Sequence, residues 1–316
     1  MFNSTHTLTG LILARTGVDR WAPRATLTAV IAANLPDIDI VCGLPGSVGY
    51  IEHHRGITHS AIGIAGLTAL LAVALYPFTK TFWRTFLVAL LAMATHPALD
   101  YANTYGVQPL LPFSERRYYG DTLYVIDPYL DAILLAGFAG GLLLKKRRSF
   151  AWLAAAAAAL YIGGRVELRN TARQTLETYG TTSPGAARSA VIPDMIDPRQ
   201  FGGIVETPDA YIKVRLKVGL NGPPAQQVEE VTRFRKGDWS TPAANHVSHT
   251  RAGAVFRGFA RFPGIQVEET TEGYRVTFID FRFYNERAGS GFGGEVLLDR
   301  KLRPMAESLS FRQKAP

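Results

Sequence analysis

Ala61-Ile-Gly-Ile-Ala-Gly-Leu-Thr-Ala-Leu-Leu-Ala-Val-Ala-Leu-Tyr-Pro-Phe78 is apolar apart from Thr68 and settles what kind of chain this is. A run of that length reaches the roughly 17–25 residues with which a helix crosses a bilayer. It lacks the polar face that a surface helix of a soluble domain shows. Buried helices of a soluble all-α domain are the competing reading, and the placement of charge favours the membrane. Three further apolar segments follow: Thr85–Leu99, Pro128–Leu144 with Asp131 near its start, and Phe150–Gly164 with the alanine run 154–159. They are shorter, so tilting or a thin local bilayer has to help them span. Two weaker apolar helices precede, Leu8–Thr16 and Arg24–Leu35, and Pro36 stops the second.

The two parts of the 316-residue chain differ in charge. Residues 1–165 carry 13 Lys+Arg and 9 Asp+Glu, whereas residues 166–316 carry 21 and 17, the density of an ordinary soluble domain. The expected organisation is a helical membrane domain over 1–165 that carries the functional site, a helix and linker over 166–205, and a β-rich domain over 206–316. Within the linker region Arg165–Thr178 reads as helix and Gly180–Gly185 as turn. Ile212, Val214, Leu216, Val218 and Leu220 alternate with Lys213, Arg215 and Lys217, the period of a half-buried strand. Arg251–Phe262, Gly273–Tyr284 and Gly294–Asp299 also read as strands or extended segments, with Gly289–Gly294 as a flexible turn. The fold class is therefore an α-helical membrane bundle of about four spans plus two short N-terminal helices, joined to a small C-terminal β-rich soluble domain.

A net charge of +8 raises the question of nucleic acid. The basic residues are dispersed, however, and the densest run, Lys145–Arg148, sits between two apolar segments. That is a membrane topology signal, and no nucleic-acid partner is expected. With Cys42 alone, neither an internal disulfide nor a thiolate zinc cluster can form. The N-terminus lacks the basic start and apolar core of a cleavable signal peptide, so insertion is expected to use the internal segments. Basic connections face the cytoplasm. Lys145–Arg148, Lys80 with Arg84, and Arg15, Arg20 and Arg24 then share that side. The opposite, extracytoplasmic side receives His6, Pro36–Asp39, His53–His59, His96–Asp100 and Asp127–Asp131, and after an even number of spans the β-rich domain as well.

Those residues carry the chemistry. Five of the seven histidines lie in the first 96 residues, interleaved with aspartates. Imidazole plus carboxylate is the ligand set of a hydrolytic metal site, and ionisable groups at membrane spans are costly enough to mark function. His96 and Asp100 share a helix face at a spacing of four. Pro97 either opens a helix after His96 or kinks one that continues from Thr85. Asp37 and Asp39 follow a helix C-terminus, where negative charge is unfavourable unless a cation is present; Asp37 is expected to bind directly and Asp39 to act behind it. In His53-His54-Arg55-Gly-Ile-Thr-His59-Ser60, Thr58 reads as an N-cap and Arg55 as a guanidinium for an anionic group. His6, Asp37, His59, His96 and Asp100 are the expected ligands of one ion or a close pair, with Asp100 able to bridge. Zn²⁺ suits the mixed N/O set, with Mn²⁺ or Fe²⁺ as alternatives. Arg55, Asp39 and His54 are the expected catalytic groups.

At Thr5-His6 with Gly10, Leu35-Pro-Asp-Ile-Asp39, His54-Arg-Gly-Ile-Thr-His-Ser60, His96-Pro-Ala-Leu-Asp100 and Asn103-Thr-Tyr-Gly106, the chain resembles the YdjM-like membrane-bound metal-dependent hydrolases. These are also labelled LexA-binding, inner-membrane-associated hydrolases. The resemblance covers roughly residues 1–131 and implies a multi-pass protein of the bacterial inner membrane with a metal site. More distantly, the order His, Asp, His, then His-x-x-x-Asp resembles zinc-dependent phospholipase C and the P1-type nucleases, which implies the same five ligands. No further His…His-x-x-x-Glu set follows downstream. The expected function is a membrane-bound metal-dependent hydrolase of a phosphoester or lipid-linked substrate at the extracytoplasmic face, with membrane lipids as partners. A transporter, or a non-enzymatic membrane scaffold with a structural metal, is the alternative.

Overall fold

The computed structural model describes residues 1–43, 47–181, 185–219, 227–285 and 289–314. Leu220 of the expected strand and residues 182–184 of the expected turn lie outside the described residues. Among those described, seven α-helices come first: α1 (Asn3–Arg15), α2 (Ala25–Asn34), α3 (Ser47–His53), α4 (Ala61–Thr79), α5 (Phe82–Tyr101), α6 (Pro128–Leu143) and α7 (Arg147–Thr181). Four segments are long and apolar enough to cross a membrane: Ala25–Gly43, α4, α5 and Arg147–Gly180. The chain is thus a helical membrane part followed by a β-rich region, but the spans differ from expectation in two places. Pro36 ends α2 without ending the helical path, which continues as a 3-10 helix over Leu35–Gly43. At the start of a new helix the amide N–H is unpaired in any case, so proline costs little there. By contrast α6, with 16 residues, is only about 24 Å long, short of a hydrocarbon core of about 30 Å.

One other expectation needs correction, and one pair of alternatives is decided. Phe150–Gly164 and Arg165–Thr178 form one continuous helix, α7. The rise in charge at Arg165 marks a change of surroundings rather than a helix end. Arg165 is itself buried; its guanidinium donates to the carbonyls of Thr122 (3.2 Å) and Pro198 and lies over Phe201. Pro97 lies inside α5, so the helix runs through it and does not begin there.

The described chain forms two compact units. The first holds Met1–Asp39, Arg55–Thr171 and Ile192–Phe201; the second holds Ile40–His54, Ala172–Val191 and Gly202–Pro316. In the first, α1, α2, α4 and α5 pack through small side chains, with Ala14, Ala29, Ala32, Ala89 and Ala92 fully buried. Small residues let helices approach closely where lipid removes the usual hydrophobic drive. Gly10 shows how close: a Cβ there would stand 2.9 Å from the Ala29 carbonyl oxygen. The basic connections meet at one end of this unit. The Trp152 indole donates to the Thr16 carbonyl (3.2 Å), Arg15 lies over Phe138, and Arg24 lies over Phe78.

The second unit contains two four-stranded antiparallel sheets. The first comprises β1 (Arg188–Pro193), β2 (Gln200–Glu206), β3 (Ala210–Lys217) and β4 (Gln227–Arg235). Two short helices, α8 (Pro242–Val247) and α9 (Arg251–Phe259), lead to β5 (Pro263–Glu269), β6 (Gly273–Asp280), β7 (Ser290–Asp299) and β8 (Pro304–Lys314). Arg251–Phe262 is therefore helical over most of its length, not extended. Thr250 caps α9 by accepting the Gly253 amide, and Ala252, Phe256 and Phe259 fall on its buried side. Gly289–Gly294 is largely strand rather than a flexible turn, because a Cβ on Gly293 would overlap the Phe278 carbonyl on β6. Phe256, Phe278 and Phe292 form the aromatic core of this half. The segment Ile40–His54 groups with it: Ser47 donates to the Leu309 carbonyl, and Arg251 pairs with Glu52 (2.7 Å).

Candidate metal centre

Three chain segments deliver histidine and aspartate to one end of the first unit, opposite its basic connections. Asp37 and Asp39 follow α2, His59 precedes α4, and His96 and Asp100 occupy the last turns of α5. The cap of α4 is Ser60, which accepts the Gly63 amide (3.1 Å), not Thr58. Thr58 and His59 instead form a 3-10 turn over Ile57–His59, and this leaves the Thr58 hydroxyl free to donate to Asp39 (2.9 Å).

One donor atom from each of Asp37, His59, His96 and Asp100 lies within 4.8 Å of all the others. His59 Nε2 is 3.1 Å from His96 Nε2, 3.5 Å from Asp37 Oδ1 and 3.3 Å from Asp100 Oδ2. His96 Nε2 is 3.3 Å from Asp37 Oδ1 and 3.5 Å from Asp100 Oδ2. A tetrahedron with bonds of about 2.0–2.2 Å has edges of about 3.3–3.6 Å. The donors therefore already stand at the spacing a small divalent cation requires. Two nitrogens facing each other with no cation between them gain only one hydrogen bond, and Asp100 Oδ2 has no hydrogen-bond partner although it is buried. Buried polar atoms are normally paired, so the donor set fits a metal ion.

The tautomers fit as well. His96 Nδ1 lies 2.6 Å from the Ala33 carbonyl oxygen, which can only accept, so Nδ1 carries the proton and Nε2 presents its lone pair. Pro36, three residues beyond Ala33, has no N–H with which to compete for that carbonyl. Asp39 sits behind His59, its Oδ2 being 3.3 Å from Nδ1 and also accepting the Arg55 amide (3.0 Å). A carboxylate on the far nitrogen of a histidine ligand orients the ring and raises its basicity.

The remaining expected residues fall around this core. The His6 ring stacks on His96 with centroids 3.6 Å apart, and its Nε2 is 3.5 Å from Asp100 Oδ1. Neither His6 nitrogen has a hydrogen-bond partner, and the ring is outside the four-donor set. Arg55 is buried, holds a left-handed backbone (φ 60°) and pairs with Asp100 Oδ1 at 3.0 Å. The Met1 amino group also donates to Asp100. His54 belongs to the second unit, where it stacks on Tyr50. Among the neighbouring acids, Asp131 accepts from Thr5 (2.6 Å) and Asp127 caps α6 and accepts from Tyr161. Two participants went unassigned from sequence. Asn103 accepts from Arg55 (2.9 Å), and its signals were its place three residues after Asp100 and the Asn103-Thr-Tyr-Gly106 motif that it opens. The Ala33 carbonyl, being main chain, has no signal at all.

Comparison with known proteins covers the same region. A model of the YdjM inner membrane protein family matches residues 1–172. The "Uncharacterized protein YfhP" of Bacillus subtilis (strain 168) is 31% identical over 149 residues, 44% of this chain and 46% of its own length. The match thus spans under half the length of that curated relative. No solved structure matches the chain. The chain belongs to the YdjM inner membrane protein family.

Proposed function

We propose that this YdjM-family membrane protein is a metal-dependent hydrolase of a phosphoester or lipid-linked substrate, with its centre at the extracytoplasmic face. The observation that carries the reading is the convergence of Asp37, His59, His96 and Asp100 at coordination spacing. Zinc suits two imidazoles and two carboxylates best, with manganese or iron(II) as alternatives. When bound, such an ion supplies Lewis-acid polarisation and a water acidified to a pKa of about 7.

The chain's own groups do the rest. Ala33 and Asp39 hold the two imidazoles in register. Arg55, neutralised on one side by Asp100, stabilises charge that develops on a substrate oxygen. Asp37 is the ligand that reaches the surface, with 14% of its side chain exposed, and so is the ligand nearest to an incoming group. His54 is assigned a catalytic part on its place in the chain beside Arg55, and His6 is a further ligand if Asp100 bridges two ions. Likeness to phospholipase C and P1 nuclease rests on ligand order alone. The basic connections support a cytoplasmic assignment for the end away from the centre, and Trp21, Trp83 and Trp152 beside them fit a membrane interface on either side. The β-rich domain then lies outside the cytoplasm.

A second reading has one observation in its favour: four protein donors can close a tetrahedral site, as structural zinc sites do. The centre would then hold the bundle of a non-enzymatic scaffold. Detergent-purified protein stripped of metal and resupplied with zinc separates the two. Recovery of phosphodiester or phosphomonoester hydrolysis, absent from Asp100→Ala, is the expected result. Folded, fully loaded protein without hydrolysis supports the scaffold, and protein purified without chelators that holds no stoichiometric metal overturns both.

A further inference from the structure

Asn103 is fully buried in the first unit, three residues after Asp100. Its Oδ1 accepts two hydrogen bonds, from Arg55 Nη1 and from the Tyr105 amide, both at 2.9 Å. Both partners are donors, so the orientation of the amide is fixed: flipping it would set NH₂ against two N–H groups. The Nδ2 side, with two hydrogens to give, has no hydrogen-bond partner. Arg55 meanwhile spreads its guanidinium between Asn103 Oδ1 and Asp100 Oδ1 (3.0 Å), and its cation lies over the Tyr105 ring at 4.6 Å. A neutral donor without a hydrogen-bond partner therefore stands one side chain away from a carboxylate of the candidate metal centre, fastened to the guanidinium that pairs with that carboxylate.

We infer that Asn103 Nδ2 and Arg55 form an oxyanion subsite beside the metal centre, and that its ligand is a phosphoryl oxygen. The inference rests on the hydrolase reading of the centre and extends it to substrate class. Asn103 has two parts in it. Through Oδ1 it fixes the plane of Arg55, and through Nδ2 it supplies a preorganised hydrogen bond that requires no reorganisation when the oxygen arrives. A donor that is neutral adds no charge to a site lying at the membrane rim, where each extra charge is costly.

The test uses full-length, zinc-loaded protein in detergent. Metal content is read by elemental analysis, and calorimetric titrations are made separately with inorganic phosphate and with dihexanoylphosphatidylglycerol. Asn103→Ala is expected to keep its metal and to bind the phosphoryl probe about 10- to 100-fold more weakly, the loss of one charge-assisted hydrogen bond. Weakening toward the lipid alone names a headgroup as the source of the phosphoryl group, and weakening toward phosphate alone names a free phosphate compound. Asn103→Asp keeps the acceptor for Arg55 and Tyr105 but removes the donor. It is expected to lose binding too, and if it binds as wild type does, Nδ2 has no part and the inference is overturned. Metal-loaded Asn103→Ala with unchanged affinity for both probes overturns it equally, as does metal-loaded wild type that binds neither. All three leave the metal centre standing, whereas wild type without metal removes the centre itself.

Discussion

The two units bury ionisable groups in opposite ways. In the β-rich unit Asp280 and Arg282 are buried and pair at 2.7 Å. Asp280 also accepts from the amides of Arg261 and Arg282, and Arg282 also donates to the Phe259 carbonyl. That network is closed: each charge is met by the chain itself, and its role is to hold β6 against the end of α9. In the helical unit Asp37, Asp100, His59 and His96 crowd donor against donor, and His6, Asp100 and Asn103 keep buried atoms without hydrogen-bond partners. A closed buried network is a structural device, whereas one left open at a fixed spacing needs something from outside.

The sharpest way to break this contrast is to remove one buried side chain from each unit. Asp100→Ala is expected to lose the bound metal, its occupancy in purified protein falling from near stoichiometric to below about a tenth. Elemental analysis reads this directly, and retained metal would show that the centre does not need the Asp100 carboxylate. In the β-rich unit Phe256→Ala, at the middle of the aromatic core, is expected to cost about 3–5 kcal/mol of that unit's stability. Metal content should not change, which thermal unfolding followed alongside metal analysis will show. Smaller is Asp39→Asn, which keeps the shape behind His59 but removes the charge. Metal affinity should fall about 10- to 100-fold, measured by competition with a chelator.

The smallest effect concerns pH. Burial alone would raise the Glu206 carboxyl, but hydrogen bonds from Lys236 (2.6 Å) and Arg188 outweigh it and hold the group below its ordinary range. The folded pKa being depressed, this contribution is complete above the ordinary glutamate value of about 4.3 and is lost as the pH falls through the folded value. Glu206→Gln should therefore flatten the acid side of the β-rich unit's stability curve while leaving neutral pH nearly unaffected.

How far these features could be read in advance follows from where the information resides. The His/Asp motifs are side-chain chemistry, and their order pointed to the residues the fold brings together. The apolar run at Ala61 announced α4 because length and hydropathy alone define a span. The path through Pro36 could not be read, since proline stops an α-helix but is tolerated at the head of a 3-10 helix. Arg251–Phe262 misled because Ala252, Ala254 and Phe256 alternate like a strand before Phe259 restores a helical interval; the decisive mark was Thr250 as a cap. Likewise Arg165 signalled an end to the membrane helix, whereas carbonyls from Thr122 and Pro198 allow its charge to be buried within α7. Main-chain acceptors of this kind have no letter in the sequence.

The Ala33 carbonyl is such an acceptor, and it depends on an absence. Because the ring at position 36 has no amide hydrogen, a lone pair one turn back stays open toward α5. The imidazole at position 96 answers by carrying its proton on that side and turning its bare nitrogen inward. Restoring an N–H with Pro36→Ala would give that carbonyl a main-chain donor to share with the imidazole, and so would loosen the hold that keeps the bare nitrogen of position 96 turned toward the centre.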